Sequence, residues 1–358
     1  MNILGLSCFY HDSAAALLQD GRLVAAAQEE RFTRKRHDDG FPSNAIAFCL
    51  STSGLQTSDL DHVVFYDRPF IKFERIVQTY LATFPLGYRS LLKALPVWLK
   101  EKMWIPQRIE DELSFGKRPL FADHHMSHAA SAFLVSPFDE AAILTLDGVG
   151  EWETTTYGKG AGTDIRLLKS IWFPHSLGLL YSAFTYYLGF RVNSAEYKVM
   201  GLAPYGEPKY YDLIMKELVL LRADGSFRLN MKYFTFHYGL TMTGRKFEQL
   251  FREPRRNPES KLTQFHKDLA ASIQKATDTI VVAMARQIQK ETGMKNLCMA
   301  GGVALNCVSN SKILERTDFQ DMFVQPAAGD AGGALGAAYY IYNTVLKNPR
   351  HFVMEDAF

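Results

Sequence analysis

Three histidines fall within five positions in the stretch DHHMSHAA, residues 123 to 130. On a helix that begins near Asp123, His124 and His128 lie four residues apart and share one face, whereas His125 points elsewhere. A histidine pair at this spacing is a common metal chelate, but a surface or helix-capping role is equally compatible with it. The spacing makes His124 and His128 candidate metal ligands and leaves the choice open.

Two aspartates extend the candidate ligand set. Asp147 ends the apolar run AAILTLD, and Asp330 follows a glycine in PAAGDAGG, where we expect a helix to begin. A shell of two histidines and two carboxylates with open positions suits a borderline divalent ion better than a structural zinc site. The two aspartates therefore strengthen the case for a metal here, and the donor set leaves Fe²⁺, Mn²⁺ and Zn²⁺ open.

His11 is a candidate general base, with Asp12 beside it to orient its ring. A histidine so placed can accept a proton from a hydroxyl, although a merely hydrogen-bonded turn histidine is the commoner case for this pattern. The basic stretch EERFTRKRHDDGFP, residues 29 to 42, either grips phosphate or carboxylate or forms a solvated loop. Neither GxxxxGK[ST] nor GxSxG occurs, which disfavours P-loop and α/β-hydrolase chemistry.

A repeated pattern of strands positions these residues. NILGLSC, SAAALL and RLVAAAQ predict an antiparallel meander, and AAILTLD, ETTTYGKG and DIRLLKSI predict a second one. Helical patterns follow each meander, SNAIAFCLSTSG in the first half and LGLLYSAFTYYLGF in the second. Asp12 and Asp147 stand in the first turn of each repeat, so we interpret the chain as an architectural duplication.

Two such halves facing each other describe the ribonuclease-H-like fold of actin, sugar kinases and heat-shock ATPases, an α/β fold with a nucleotide cleft between two lobes. We expect a first lobe over residues 1–140 and a second over 141–358, consistent with a length that favours two domains. Residues 70–115 form an aromatic-rich helical insertion. The sequence leaves open whether this insertion caps a substrate pocket or packs as an appendage.

The second half changes character along its length. Residues 204–260 are irregular and rich in Pro, Gly and charge, and a long helix is predicted over 262–292. A strand, the pair Gly301-Gly302 and a helix over about 303–315 follow, and then DMFVQ and AGGALGAAYYIYNTV predict a last strand and helix. A strand, glycine turn and helix in this order let backbone N–H groups approach an anionic or nucleotide ligand.

Composition excludes several classes of partner. Lys and Arg total 40 against 38 Asp and Glu, so no global field recruits nucleic acid or a membrane, and we expect a small-molecule partner. The four cysteines lack CxxC spacing and mostly lie in apolar runs, which suits reduced thiols. The N-terminus does not resemble a signal peptide, and no apolar run is long enough to span a bilayer. We expect a cytoplasmic protein.

Eight stretches together resemble the O-carbamoyltransferases that modify nodulation factors and antibiotics. They occur in the family's order over nearly the whole chain: GLSCFYHDSAAALL, EERFTRKRHDDGFP, DHHMSHAASAF, LDGVGEWETT, SLGLLYSAFTYYLGF, EYKVMGLAPYG, GGVALNCVSN and QPAAGDAGGALGAA. A more distant resemblance extends to the tRNA threonylcarbamoyl transferases, which share the fold and the HxxxH metal motif.

The resemblance implies a two-step reaction in natural-product or nodulation-factor biosynthesis. Carbamoyl phosphate and ATP give carbamoyl adenylate, and the carbamoyl group then moves to a hydroxyl of a small acceptor. It also implies roles for particular residues: His11 and Asp12 in catalysis, His124, His128, Asp147 and Asp330 as metal ligands, and Gly178, Lys198, Gly201, Gly301, Gly302 and Asn306 along the nucleotide cleft.

The sequence departs from the family in one respect, because complete members continue into a YrdC-like domain that makes the adenylate. We expect that activity in cis, in a longer chain, or in trans on another polypeptide, and we expect this chain alone to use carbamoyl phosphate and ATP poorly. Two other functions stay open: a tRNA-modifying transferase, which the near-neutral charge disfavours, and a metal- and nucleotide-binding module without catalysis.

Overall fold

The computed structural model describes residues 1–356, and ten of their strands form two five-stranded sheets. The first sheet contains β1 (Asn2–Ser7), β2 (Ala14–Gln19), β3 (Arg22–Gln28), β4 (His62–Phe65) and β5 (Leu120–Phe121). The second contains β6 (Glu140–Leu146), β7 (Glu153–Ala161), β8 (Asp164–Trp172), β11 (Asn296–Ala300) and β12 (Asp321–Val324). A separate antiparallel pair consists of β9 (Val219–Leu221) and β10 (Phe227–Leu229).

The two sheets share one topology. Their strand orders are β3-β2-β1-β4-β5 and β8-β7-β6-β11-β12, so each half runs third, second, first, fourth and fifth. In each half the first three strands form an antiparallel meander, and the fourth strand pairs parallel with the first, as Leu4 opposite Val63 and Leu144 opposite Met299 show. This repeat confirms the ribonuclease-H-like duplication that the sequence predicts.

The helices surround and join the sheets. The α-helices are α1 (Glu30–Thr33), α2 (Ser43–Ser53), α3 (Pro69–Ala82), α4 (Tyr88–Lys100), α5 (Ile105–Leu113), α6 (His124–Phe133), α7 (Leu177–Tyr187), α8 (Glu196–Leu202), α9 (Tyr211–Glu217), α10 (Arg245–Phe251), α11 (Gln264–Thr292), α12 (Cys307–Arg316) and α13 (Ala331–Tyr339). Single turns of 3₁₀-helix occur at Thr57–Asp59, Lys102–Trp104, Ala203–Tyr205, Met231–Tyr233 and Gly302–Leu305, and a π-helical turn spans Tyr340–Val345.

The helix that follows the fifth strand of each half crosses to the other half. α6 packs against β6 and β11 of the second sheet, whereas α13 packs against β1 and β2 of the first, and the two helices pack against each other. Small residues permit this approach, since a Cβ added to Gly336 would lie 1.8 Å from the Ser127 carbonyl oxygen. The segment predicted as the second lobe, 141–358, thus supplies its last helix to the core of the first sheet.

Most of the predicted elements are present, and the irregular segment is more ordered than expected. The insertion over 70–115 is helical, as predicted, and residues 204–260 hold α9, α10 and the β9–β10 pair between their loops. The cysteines are free, and Cys8, Cys49 and Cys298 are buried while Cys307 is exposed. Within residues 1–356, none of the helices combines the length and apolar character needed to cross a bilayer.

The crossing of α6 and α13 predicts a large effect for a single methyl group. Gly336→Ala should lower the free energy of unfolding by about 1–3 kcal/mol, because the new Cβ meets backbone that cannot rotate away. Gly201→Ala is the matched control, since a Cβ there, also on a helix, meets nothing within 4 Å and alanine favours helix. Urea unfolding of both variants measures the difference, and equal stabilities would contradict the close crossing.

Candidate metal centre

The two histidines of α6 converge on one point. His124 and His128 are each 1% exposed, and their Nε2 atoms lie 3.1 Å apart. One turn of helix separates the residues, so both rings project from the same face, as the spacing predicts. His125 points elsewhere: its Nδ1 lies 2.7 Å from Thr145 Oγ1 and its Nε2 3.0 Å from the Glu153 carbonyl oxygen.

Two aspartates complete the cluster from the ends of other elements. Asp147 follows β6, and its Oδ2 lies 3.1 Å from His124 Nε2, while its Oδ1 accepts a hydrogen bond from the Gly302 backbone N–H. Asp330 stands just before α13, and its Oδ1 lies 3.7 Å from both histidine Nε2 atoms. The sequence thus identifies four side chains that the fold brings together from three separate segments.

The donor set fits a divalent cation. One ligand atom from each of the four residues lies within 4.8 Å of the others, and all four residues are buried. Burial opposes ionisation of the two carboxylates, but hydrogen bonding by His124 to Asp147, and the charges of His11 and His124 near Asp330, hold the pKa of both carboxyls below its usual range. Two carboxylates and two facing imidazole nitrogens are the donors expected of a Fe²⁺, Mn²⁺ or Zn²⁺ site.

His125 holds α6 in position and is not part of the cluster of candidate ligands. Burial, followed by the nearby His124 and His128, lowers the pKa of its imidazole to about 3. A ring that stays neutral can keep both of its hydrogen bonds to the second sheet over the physiological range. His125 therefore fixes α6 against β6 and β7 while its neighbours face the cluster.

Glu151 anchors the start of α6. The sequence patterns gave no sign of this role of Glu151. Its carboxylate accepts from the His124 backbone N–H at 3.1 Å and from the Arg68 backbone N–H at 2.8 Å. Both donors lie at helix N-termini, where unpaired N–H groups favour an anion. Asp123, at the usual capping position, instead pairs with the Arg68 side chain. Glu151 thus ties the start of α6 to the start of the insertion helix α3.

Asp12 holds two imidazoles. Its Oδ2 lies 2.9 Å from His11 Nδ1 and its Oδ1 lies 2.7 Å from His37 Nδ1. This contact orients the His11 ring so that its Nε2 faces the four candidate ligands and lies 3.7 Å from Asp330 Oδ2. Burial acts against protonation of His11, but Asp330 and Asp12 raise the pKa of its imidazole to about 9. His37 comes from the basic stretch, which therefore contributes to the site and is not only a solvated loop.

A cavity of about 540 Å³ opens beside the cluster, and most of the predicted site residues line it. The predicted residues in its wall are His11, Asp12, Asp147, Gly178, Gly302, Asn306 and Asp330. His124 and His128 lie buried behind that wall. Lys198 and Gly201 are exposed on α8 and are outside the lining, and the Lys198 ammonium lies 5.9 Å from the centre of the Phe190 ring.

Glycines allow the backbone to come close to the cluster. Gly301 has φ +93°, and a Cβ there would lie 2.3 Å from the Leu146 carbonyl oxygen. A Cβ at Gly178 would lie 2.7 Å from the Asp147 carbonyl oxygen. Asn306 caps α12 through the Ser309 N–H and also exchanges hydrogen bonds with Gln274. These contacts hold the glycine turn against Asp147 at one side of the cavity.

The insertion forms part of the cavity wall. α3 presents Arg75, Ile76, Thr79 and Tyr80 to the cavity, opposite residues of the second half such as Phe173 and Phe236. Of the two possibilities left open by the sequence, this observation favours a cap over a substrate pocket. Helical periodicity indicates one apolar face of α3, but the element it packs against cannot be inferred from local spacing.

Comparison with known proteins identifies the family. The sequence profile of the carbamoyltransferase N-terminus family matches residues 2–339, so the chain belongs to that family. The protein sll1178 of Synechocystis sp. is 54% identical over 99% of this chain and 59% of its own length. The nodulation protein NolNO of Sinorhizobium fredii is 38% identical over 97% of this chain and 48% of its own length. The chain therefore spans roughly half of these curated relatives.

Solved structures show more distant likeness. Component A of the (R)-2-hydroxyglutaryl-CoA dehydratase of Acidaminococcus fermentans is 15% identical, with a TM-score of 0.46 over 97% of this chain and 100% of its own. The ROK hexokinase of Thermus thermophilus is also 15% identical, with a TM-score of 0.41 over 94% of this chain and 97% of its own. The fold assignment rests on the repeated strand topology described above.

The cluster predicts one transition-metal ion per chain. Native mass spectrometry of protein purified without chelators should show this ion, and His128→Ala and Asp330→Asn should each lose it, because each removes a converging donor. His351→Ala is the control, as that exposed histidine lies outside the cluster. Full metal occupancy in both ligand variants would contradict the assignment.

Proposed function

We propose that the chain transfers a carbamoyl group from carbamoyl adenylate to a hydroxyl of a small-molecule acceptor. The observation that carries this proposal is the arrangement of His11 Nε2 beside the four candidate ligands at the wall of one cavity. Family membership supplies the carbamoyl group, and the cavity is large enough for a nucleotide-sized ligand and an acceptor.

His124, His128, Asp147 and Asp330 would hold the metal. A bound divalent ion supplies Lewis acidity that polarises the carbamoyl carbonyl and stabilises the departing phosphate. Its charge would also offset that of Asp330, and the pKa of His11, which Asp330 raises in the metal-free cluster, would fall. A lower pKa favours the neutral imidazole that a general base requires.

His11 accepts the proton in this proposal. The acceptor oxygen bonds to the carbamoyl carbon, the bond from that carbon to the phosphate oxygen breaks, and AMP leaves with the electron pair. The hydroxyl proton passes to His11 Nε2, because Asp12 occupies Nδ1 and fixes the ring orientation. Asp12 is in turn held by His37, so that its carboxylate cannot swing away from His11.

The nucleotide is proposed to lie along the glycine side of the cavity. Gly178, Gly302 and Asn306 line this side, and the turn at Gly301 is held against the end of β6. Backbone without Cβ atoms lets a ligand phosphate approach N–H groups closely. Lys198 and Gly201 stay predictions, since they flank this side from α8 without facing the cavity.

The carbamoyl adenylate is proposed to come from a YrdC-like activity that uses carbamoyl phosphate and ATP, in cis or in trans. Two observations support this separation of adenylate formation from carbamoyl transfer. The chain matches only part of the length of its relatives, and the family model that it matches describes the N-terminus of carbamoyltransferases. Fe²⁺ is proposed as the first choice among the divalent ions that the donor set fits, and the position of His11 supports a hydroxyl as the proposed acceptor.

A coupled assay tests the proposed function. The metal-loaded chain is mixed with a YrdC-like protein, ATP, ¹⁴C-carbamoyl phosphate and a mixture of sugars, aminocyclitols and phenols, and label in the acceptors is measured. His11→Ala should lower the transfer rate by about 10²–10⁴-fold, the usual contribution of a general base, while metal content is unchanged.

His351→Ala serves as the matched histidine control in this assay and should transfer at the wild-type rate. Wild-type transfer by His11→Ala would remove His11 from the mechanism. Absence of labelled acceptor with the metal-loaded wild-type chain would count against carbamoyl transfer to any of these classes.

A further inference from the structure

Part of the cavity lining is rich in apolar side chains that the nucleotide and metal assignments do not use. We call it the aromatic wall, and it consists of Arg75, Ile76, Thr79 and Tyr80 from α3 with Phe173, Phe236 and Met242 from the second half. The Phe173 and Phe236 rings lie 6.4 Å apart in an edge-to-face arrangement. Half-buried aromatic faces of this kind bind the apolar faces of a ring-shaped ligand.

Arg75 is the one fully charged side chain of this wall. It is 7% exposed, and its Nη1 donates to the Gly150 carbonyl oxygen at 3.1 Å, while the guanidinium carbon lies 5.2 Å from the centre of the Phe173 ring. Among the described residues it has no carboxylate within ion-pair distance and no second hydrogen-bond acceptor. A guanidinium has five N–H donors, so most of its bonding capacity is left for the cavity.

A second buried arginine has acceptors for its guanidinium nitrogens, unlike Arg75. Arg256, 9% exposed, donates from Nε, Nη1 and Nη2 to the carbonyl oxygens of Leu188 and Ser260. Lys72, one turn before Arg75, pairs with Asp67. Glu151 and Asp67 lie close enough to interact with the charge of Arg75 but accept no hydrogen bond from it, so its free donors at the cavity lining can bind a ligand that carries acceptors.

Arg75 lines the same cavity as the candidate ligands Asp147 and Asp330. Arg75 contacts the backbone of Gly150, and Gly150 packs on α6. A Cβ at Gly150 would lie 2.9 Å from His124 Cδ2. Glu151, the next residue, holds the His124 backbone N–H. Gly150 and Glu151 therefore connect Arg75 to the start of α6, which carries two of the candidate metal ligands.

We propose that the aromatic wall is the acceptor subsite and that Arg75 selects hydroxylated ring compounds that carry a carboxylate. The planar guanidinium binds a carboxylate through two parallel hydrogen bonds, and the aromatic rings bury the body of the acceptor. His237, which also lines the cavity, adds no competing charge, because burial followed by the nearby His175 lowers the pKa of its imidazole. This inference rests on the proposed function.

A matched pair of probes tests the selection of a carboxylate. 4-Nitrophenyl β-D-glucoside and 4-nitrophenyl β-D-glucuronide share an aromatic ring and a sugar and differ in one carboxylate. The metal-loaded wild-type chain, titrated calorimetrically, should bind the glucuronide about tenfold more tightly. Arg75→Gln should remove this preference, Arg75→Lys should keep part of it, and Phe236→Ala should weaken both probes equally.

The controls separate this inference from the proposed function. Arg166→Gln removes an equal charge from an exposed strand and should keep the preference. ADP binding and metal content should be unchanged in Arg75→Gln; loss of ADP binding with the probe preference intact would assign Arg75 to the nucleotide phosphate and overturn the inference. Equal binding of the two probes, or no binding of either at millimolar concentration by a chain that retains ADP and metal, would also overturn it while leaving carbamoyl transfer standing.

Discussion

The close crossing of α6 and α13 is the constraint on which the rest of the site depends. Each helix follows the fifth strand of its half and packs on the opposite sheet, and Gly336 touches the Ser127 backbone where they cross. His124 and His128 lie on α6, and Asp330 lies at the start of α13. The contact that joins the two halves therefore also brings the candidate metal ligands of α6 and α13 to one point.

Electrostatics explains why this point suits a cation. Two buried carboxylates face two imidazole nitrogens, and burial is opposed by charges that keep the pKa of Asp147 and Asp330 below the usual range. Asp12, Glu30 and His37 form another compact group, but it is only half-buried, and its one imidazole already contacts Asp12 through Nδ1. The first group differs in that all four of its residues are buried and two imidazole nitrogens converge on two carboxylates.

The sequence patterns predicted the features that depend on local backbone geometry. They did not predict contacts that form only when distant segments pack together. The i, i+4 spacing of His124 and His128 fixes their common face on any helix, and the repeated meander fixes the sheet order. Glu151 and Arg75 were missed because their roles depend on contacts between segments distant in sequence. A family motif placed Lys198 and Gly201 near the cleft, but their side of α8 faces solvent.

The proposed site requires that His124, His128, Asp147 and Asp330 bind one metal ion. Crystals of protein purified without chelators, with diffraction data collected on both sides of the iron absorption edge, test it most directly. We expect a single anomalous peak about 2 Å from the two Nε2 atoms and from one oxygen of each aspartate. A strong peak at Asp12, Glu30 and His37, or no peak at any of the edges of iron, manganese and zinc, would contradict it.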